Sequence, residues 1–400
     1  MLILAINCGS SSIKCLLIDS DSHRRSFAAQ VENIGNADCH IVVGAAAAIP
    51  MDRCDHEAAM RRVLEELRRS SNDRPDAQPD AQPDAVAHRI VHGGDRFTAP
   101  TVVTDEVLDA LTALNELAPL HNPPAVAALR LARSSLPSIP HVAVFDTSFH
   151  ATLPPHAYEY ALPSAVRQRF GIRRYGFHGI SHAHVMESVA AHLNQRAFSL
   201  RIISCHLGNG ASVAAIEYGR SVDTSMGMTP LEGLVMGTRS GDIDPGAVLL
   251  LLRSGAYDAG QLDSLLNHES GLKGLAGTND LREIERRAAA GDKMCELAID
   301  IYAHRVRKYI GAYAAVMGGV DVIAFTGRVG EHSALVRNRI VQRLEFLGAC
   351  LDSGKNSAAV SAQKTVESIA AADATVAMVV VKADEEVGMT RAAAAILTAG

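Results

Sequence analysis

The sequence predicts an α/β protein of two similar halves, and three features carry that expectation. The first is the opening segment. An apolar run over residues 2–6 leads into Asn7, Cys8, Gly9, Ser10, Ser11 and Ser12, and a second apolar run covers 13–18. Two short strands joined by a Gly/Ser tip make a tight β-hairpin. The second feature is a later copy of that design, in which 202–205 lead into His206, Leu207, Gly208, Asn209, Gly210, Ala211 and Ser212, then an apolar 213–216. The third is an alternation of strand-like and helical patterns, which means a mixed sheet in each half.

Taken in order, strand-like runs cover residues 2–6, 85–91, 141–145, 201–205, 320–325 and 375–381. Residues 58–67 have the apolar spacing of an amphipathic helix. Thr104 suits an N-cap, with Asp105 and Glu106 in the first turn and apolar residues on helical spacing to Leu117. Pro123 and Pro124 open a helix running to Arg133. Residues 181–193, 245–253, 279–287 and 295–317 also read as helices. Residues 73–85 differ from their surroundings: Pro75-Asp76-Ala77-Gln78 recurs at 79–82 and begins again at Pro83. Such a tandem cannot bury a core and reads as a surface insertion. The Gly/Pro-rich zone 226–246 is too long for a simple connector and reads as an active-site loop.

Bulk properties narrow the class. The 400 residues suffice for two domains with large cores. A composition of 48% hydrophobic and 20% charged residues is that of a soluble globular protein. A net charge of −6 with scattered basic residues argues against a nucleic-acid partner. No apolar run approaches the roughly 18 residues that span a bilayer. The first residues lack the basic segment and cleavage site of a signal peptide. Seven dispersed cysteines without C-x-x-C spacing point to a reduced, cytoplasmic protein.

The hairpin tips carry the chemistry. Without bulky side chains, their N–H groups and hydroxyls can close around anionic oxygens. Lys14 adds a mobile positive charge suited to phosphate. Two such tips, each opening its own half, suggest a duplicated nucleotide clamp. Other nucleotide and nucleophile signatures are missing: there is no P-loop, the dinucleotide fingerprint after Gly208 is incomplete, and no G-x-S-x-G elbow occurs. His178, His182 and His184 have a metal-like spacing, but positions i, i+4 and i+6 of one helix cannot all face one ion.

Further motifs follow in order. They are Asn7 to Lys14, Ala87-His88-Arg89-Ile90-Val91-His92-Gly93-Gly94, Leu120-His121-Asn122-Pro123 and Val144-Phe145-Asp146-Thr147-Ser148-Phe149-His150. Then come Tyr175-Gly176-Phe177-His178-Gly179-Ile180-Ser181-His182, His206 to Ser212, and the stretch from Asp223 to Gly233. The series closes with Met236-Gly237-Thr238-Arg239-Ser240-Gly241-Asp242-Ile243-Asp244-Pro245, Phe325-Thr326-Gly327 with Gly330-Glu331, and Glu385-Glu386. In this order and over nearly the whole chain, they resemble the acetate kinase (acetokinase) family, in the superfamily of sugar kinases, actin and heat-shock chaperone ATPase domains.

The resemblance implies two duplicated actin-like (RNase H-like) domains around a central active-site cleft, whose closure would exclude water. The N-terminal domain would be residues 1–150, joined by a C-terminal helix over 384–398, and the other residues 151–383. The implied activity is reversible, Mg²⁺-dependent phosphoryl transfer from ATP to acetate, with Mn²⁺ as a substitute metal and a homodimer as the assembly. Asp146, Arg89, His178, Arg239 and His121 match the catalytic group. Ser10, Ser12, Lys14, His206, Leu207, Gly208, Asn209 and Gly210 match phosphate-binding positions. Asp280, Leu281, Arg282, Arg328, Val329, Gly330, Glu331 and His332 lie where the family binds the nucleoside. Val91, Leu120, Phe177 and Pro230, with Arg89, match the acetate pocket, and Asn7 and Glu385 match the Mg²⁺ contacts. One stretch departs from the family: Arg328 stands where a glycine is usual, and His332 where Asn is usual.

Physical chemistry sorts these roles. Both reactants are anions, and charge spreads over the moving phosphoryl group, so the site must be cationic. Arg89 and Arg239 can hold carboxylate and phosphoryl oxygens bidentately. His178 can donate to the transferring group, with His121 as a lesser donor. Acetate, with a pKa of roughly 4–5, is already ionised at neutral pH. Asp146 therefore suits orienting Arg89 or organising metal-bound water better than acting as a base. Two other functions fit parts of the pattern: a propionate kinase, and a nonenzymatic ATP-driven switch that would not need Arg89, Arg239, His178 and Asp146 together.

Overall fold

A computed structural model describes residues 1–9, 11–72, 82–118 and 121–398. The chain divides into two compact units, Met1–Phe149 with Asp384–Gly400, and His150–Ala383.

The first unit holds β1 (Leu2–Cys8), β2 (Ile13–Asp19), β3 (Arg25–Glu32), β4 (His40–Val43), β5 (Ile49–Pro50), β6 (Ala85–Ile90), β7 (Thr101–Val102) and β8 (His141–Phe145). Their order in the sheet is β5-β4-β3-β2-β1-β6-β8-β7. The expected hairpin is present: β1 and β2 pair antiparallel from Leu2↔Asp19 to Cys8↔Ile13. Gly9 N–H donates to Ser12 O at 2.8 Å, closing the tip. β1, β6 and β8 run parallel in the middle of the sheet. Their apolar runs are buried on both faces, as parallel strands are. Ile13, Cys15 and Leu17 share a core with the helices His56–Asn72 and Asn122–Ser135. Leu16 and Ile18 point the other way, onto Val387 of the C-terminal helix Glu385–Thr398. The period of two along the strand thus sends alternate residues to two different cores.

The second unit holds β9 (Arg201–Leu207), β10 (Ala211–Glu217), β11 (Arg220–Thr224), β12 (Val322–Thr326), β13 (Val366–Ser368) and β14 (Ala377–Val381), ordered β11-β10-β9-β12-β14-β13. β9 and β10 form the second hairpin, from Leu207↔Ala211 to Glu217↔Arg201. β12 lies parallel between β9 and β14. The helix Lys293–Val316 buries Ile299, Tyr302, Val306 and Ile310 on one face. Asp292 caps it by accepting from Met294 N and Cys295 N.

Helix ends differ from expectation where caps decide them. Thr104 does accept from Val107 N, but the helix Asp105–Ala113 gives way to a tighter turn, Leu114–Glu116, before Leu117. The helix expected from 279 starts at Leu281, because the Asp280 carboxylate accepts from Arg282 N and stands outside the helix. Most of the Pro-Asp-Ala-Gln tandem lies outside the described residues. At its end Pro83 is buried, and Leu2 N donates to Asp84 Oδ2 at 2.7 Å, so the third repeat start belongs to the folded unit. Among the described residues no helix is long and apolar enough to cross a membrane, and all seven cysteines are free.

Candidate active site

Parallel strands put the functional side chains of the first unit near their carboxyl ends, where ligands bind in open α/β sheets. Asn7 is near the end of β1, Arg89 near the end of β6, and Asp146 just after β8. Glu385 opens the C-terminal helix. Arg89 donates from Nε to Asp146 Oδ1 at 3.0 Å and from Nη2 to Oδ2 at 2.7 Å, a two-pronged pair. Its Nη1 reaches Asn7 Oδ1 at 3.1 Å and Glu385 Oε2 at 3.2 Å. Asn7 Nδ2 donates to Glu385 Oε2 at 3.2 Å. Burial opposes the guanidinium charge, but Asp146 and Glu385 more than offset it and raise the Arg89 pKa above its ordinary value. Lys14 pairs at 2.9 Å with the buried Glu386, a partner whose role the sequence did not reveal.

Asn7 and Glu385 present an amide oxygen and a carboxylate, with a second carboxylate on Asp146. Among the described residues no three His, Cys, Asp or Glu gather as a metal cage. Such a sparse all-oxygen set fits Mg²⁺, which keeps waters and takes substrate phosphate oxygens in place of a protein cage.

In the second unit the hairpin tip is closed by Gly208 N donating to Gly210 O at 3.0 Å. Gly237 N donates to Asn209 O at 2.9 Å, and a Cβ on Gly237 would push the Asn209 side chain out of its present position. A cavity of about 470 Å³ opens beside the tip. That is within the range of small-ligand pockets. Of the expected nucleotide residues, Gly208, Asn209, Asp280, Leu281, Arg282, Arg328, Val329 and His332 line it. Gly237, Leu272, Asn279, Glu285 and Ser333 also line it and were not foreseen. Asn279 has a local cue, since it precedes the capping Asp280; its Nδ2 also donates to Asn209 Oδ1 at 3.0 Å, a contact set by the fold. Arg282 binds Asp280 through Nε and Nη2, which lowers the Asp280 carboxyl to about 2.

The unusual Arg328 has an ordinary helical backbone in the turn Gly327–His332. The positive φ, +77°, belongs to Gly327, where a Cβ would lie 2.7 Å from Leu207 O. The arginine is therefore accommodated without backbone strain. Leu207 is buried, and its backbone O lies against Gly327. Gly330 is buried, and Glu331 accepts from Ala383 N at 3.1 Å. Arg337, buried and unforeseen, donates to Gly330 O and Glu331 O at 2.7 and 2.8 Å, fixing the end of this turn.

His178 precedes the helix Gly179–His192 with left-handed backbone, φ 56° and ψ 24°. A non-glycine residue there marks a position over-determined by its surroundings. Its ring stacks on His206 with centroids 4.3 Å apart, and Ser181 Oγ lies 2.8 Å from His206 Nδ1. Arg239 sits in the 226–246 loop, where Met236 N donates to Arg239 O at 3.1 Å and Leu272 N to Met236 O at 2.9 Å. Burial lowers the Arg239 pKa. Val91 and Phe177 are buried, Pro230 is half-buried, and His121 stands at the N-cap of the helix Asn122–Ser135. Ser12 follows the first tip, and Ser10 and Leu120 lie outside the described residues.

A family model, the acetokinase family, matches residues 2–391. The chain belongs to the acetokinase family. An acetate kinase of Heliobacterium modesticaldum is 45% identical over 396 residues, which span 98% of each chain. The solved acetate kinase of Porphyromonas gingivalis is 38% identical over 99% of each chain, with a TM-score of 0.90. A solved propionate kinase from Francisella tularensis is 36% identical over 98% of each chain, also with a TM-score of 0.90. The two-part α/β fold expected from the sequence is thus the fold of solved acetokinase-family relatives.

Proposed function

We propose that this chain is an acetate kinase that reversibly transfers the terminal phosphoryl group of ATP to acetate, directly and in line, giving acetyl phosphate and ADP. The observation that carries the proposal is the full-length match to relatives named acetate kinase. The charge arrangement agrees with it. Arg89, oriented by Asp146, would hold the acetate carboxylate and then the transferring oxygens. Arg239 would act on the phosphoryl group, where its partly buried cation would meet an anionic partner at close range. His178 would donate a hydrogen bond to the same group, and His121 would assist. Val91, Leu120, Phe177 and Pro230 would enclose the methyl group. The glycine tip after β9 would bind phosphates through its N–H groups and the 470 Å³ cavity would take the nucleoside. Asn7 and Glu385 would hold Mg²⁺, which would neutralise phosphate charge when bound. Asp146 needs no base function, because acetate arrives ionised.

A homodimer is proposed on the helix Pro245–Arg253, which buries no residue and leaves Leu249 and Leu250 52% and 62% exposed. The free cysteines agree with a cytoplasmic setting. Propionate is the second substrate to consider, given the propionate kinase relative. One methylene in an apolar pocket changes discrimination by only about 1–3 kcal/mol. ADP formation measured with acetate, propionate, butyrate and no acid tests the proposal. Acetate should give the highest kcat/KM. Equal ADP formation without acid would sink the kinase in favour of an ATP-driven switch.

A further inference from the structure

Behind His178 runs a chain of buried groups with no part in the chemistry above. His178 Nδ1 lies 2.9 Å from Ser212 Oγ. The same oxygen lies 2.8 Å from His182 Nε2, and His182 Nδ1 lies 2.8 Å from Ser204 Oγ. Ser204, Ser212 and His182 are fully buried. Burial, then the neighbouring His150 and His206, push the His182 pKa well below its usual value, so its ring is neutral. Each hydroxyl therefore brings one hydrogen, and the His182 ring brings one.

Those hydrogens can point along the chain in two directions. Starting from His178, Nδ1–H would donate to Ser212, Ser212 to His182 Nε2, and His182 Nδ1–H to Ser204. The Ser204 hydroxyl hydrogen would then be buried with no acceptor among the described residues. Leaving a buried donor unmade is costly. Starting from Ser204, its hydroxyl donates to His182 Nδ1, His182 Nε2–H donates to Ser212, and Ser212 donates to His178 Nδ1. Every contact then has one hydrogen and no buried hydrogen is wasted. In this direction Nδ1 of His178 is an acceptor and its own proton sits on Nε2.

The Nε2 edge faces the phosphate tip. A Cβ built on Gly210 would lie 3.4 Å from His178 Nε2 and 3.8 Å from Arg239 Nη1. A second positive charge there is disfavoured by Arg239. A neutral imidazole with a fixed Nε2–H avoids that repulsion and still offers a donor.

We infer that Ser204, His182 and Ser212 are positioning residues that hold His178 as the neutral Nε2–H tautomer, a standing hydrogen-bond donor beside Gly210 and Arg239 and not a base. This rests on the proposed role of His178, but its main test does not require turnover. In protein carrying ¹⁵N-labelled histidine, the His178 ring nitrogens are assigned by their loss in His178→Gln. At neutral pH Nδ1 should be unprotonated and Nε2 protonated. In Ser212→Ala the same signals should move toward a mixture of tautomers. There kcat should fall about 10–100-fold, as when a supporting hydrogen bond is removed, with KM for ATP within about twofold. His182→Gln keeps one acceptor and one donor and should retain more kcat than His182→Ala. A wild-type His178 that is charged or protonated at Nδ1 overturns the inference, even if no variant folds. So does a Ser212→Ala protein with unchanged tautomer and kcat. Absence of acetate-dependent ADP formation would overturn the kinase proposal while leaving the spectrum to decide the tautomer.

Discussion

The two sheets share one plan. In the first, β3-β2-β1 form an antiparallel meander and β1, β6 and β8 run parallel; in the second, β11-β10-β9 and then β9, β12 and β14 repeat it. Each has a glycine tip after its first strand. What lies beside the tip differs. The first half holds Arg89 among Asp146, Asn7 and Glu385, so its charge is balanced within the unit. The second surrounds His178 with serines and histidines, among them the neutral His182, and keeps Arg239 where burial opposes its charge. On the proposed function, one scaffold would thus present two kinds of anion donor: a cation oriented by carboxylates, and a cation beside an imidazole set among hydroxyls.

Removing each arginine tests that contrast most severely. Arg89→Ala and Arg239→Ala should each lower kcat by about 10²–10⁵, the range for losing a donor or arginine at a phosphoryl transition state. Stability should separate them. Arg89→Ala removes the two-pronged cationic partner of the buried Asp146 and should cost roughly 3–5 kcal/mol in urea unfolding. Arg239→Ala should cost less than Arg89→Ala, because burial opposes the charge that is removed and no carboxylate is stripped of a two-pronged pair. Near-wild-type turnover in a folded variant removes that arginine from the mechanism, and equal stability losses erase the contrast.

Asp146→Asn should be milder, lowering kcat roughly 10–100-fold through misorientation of Arg89. The acidic limb of the kcat profile against pH should not change, because acetate needs no deprotonation above about pH 5. An acidic limb present in the wild type and missing from Asp146→Asn would make Asp146 a titrating base.

The neutral histidines of the second half should make stability depend on acid. His150 holds Phe177 O and Ser221 Oγ, and burial lowers its pKa from 6.5 to about 4. Between these values the unfolded chain binds the proton and the folded chain does not. Stability should therefore be full above about pH 6.5 and decline as pH falls toward 4, by up to roughly 3 kcal/mol for this residue. Urea unfolding of wild type and His150→Gln at pH 7 and 4.5 checks it: the variant should lose less stability on acidification, and an identical loss would assign the effect elsewhere.

The smallest expected effect is at Arg328. Arg328→Gly should change KM for ATP several-fold and shift preference among ATP, GTP and ITP, while KM for acetate stays within about twofold. A change in acetate KM without one in nucleotide KM would place the 327–332 turn wrongly.

Much of this was legible in the sequence. Both hairpins, the parallel strands after them and seven of the longer helices followed from apolar runs, glycine and caps. The cavity gathers eight of the expected nucleotide residues, because they sit on tips and helix starts that glycine and Asp mark locally. Arg337 was not legible. It lies within the helix Ala334–Val341 like any polar helix residue, and only the fold turns it inward onto Gly330 and Glu331. Ser333, and the pairing of the motif residue Glu386, escaped for the same reason: their partners, Glu285 and Lys14, are distant in the chain.

The sequence by itself determined the local conformations and the kinds of chemistry available. Apolar period two makes strands, Gly327 supplies a positive φ, Asp280 and Asp292 start helices, and the ordered motifs name the family. Tertiary structure decided the states of those groups. The serine and histidine contacts that choose the His178 tautomer, and the carboxylates that hold Arg89, join residues 22 to 296 positions apart. Protonation and orientation depend on what surrounds a side chain in space, and burial makes that dependence strong, because water is no longer there to satisfy whatever the neighbours leave unpaired.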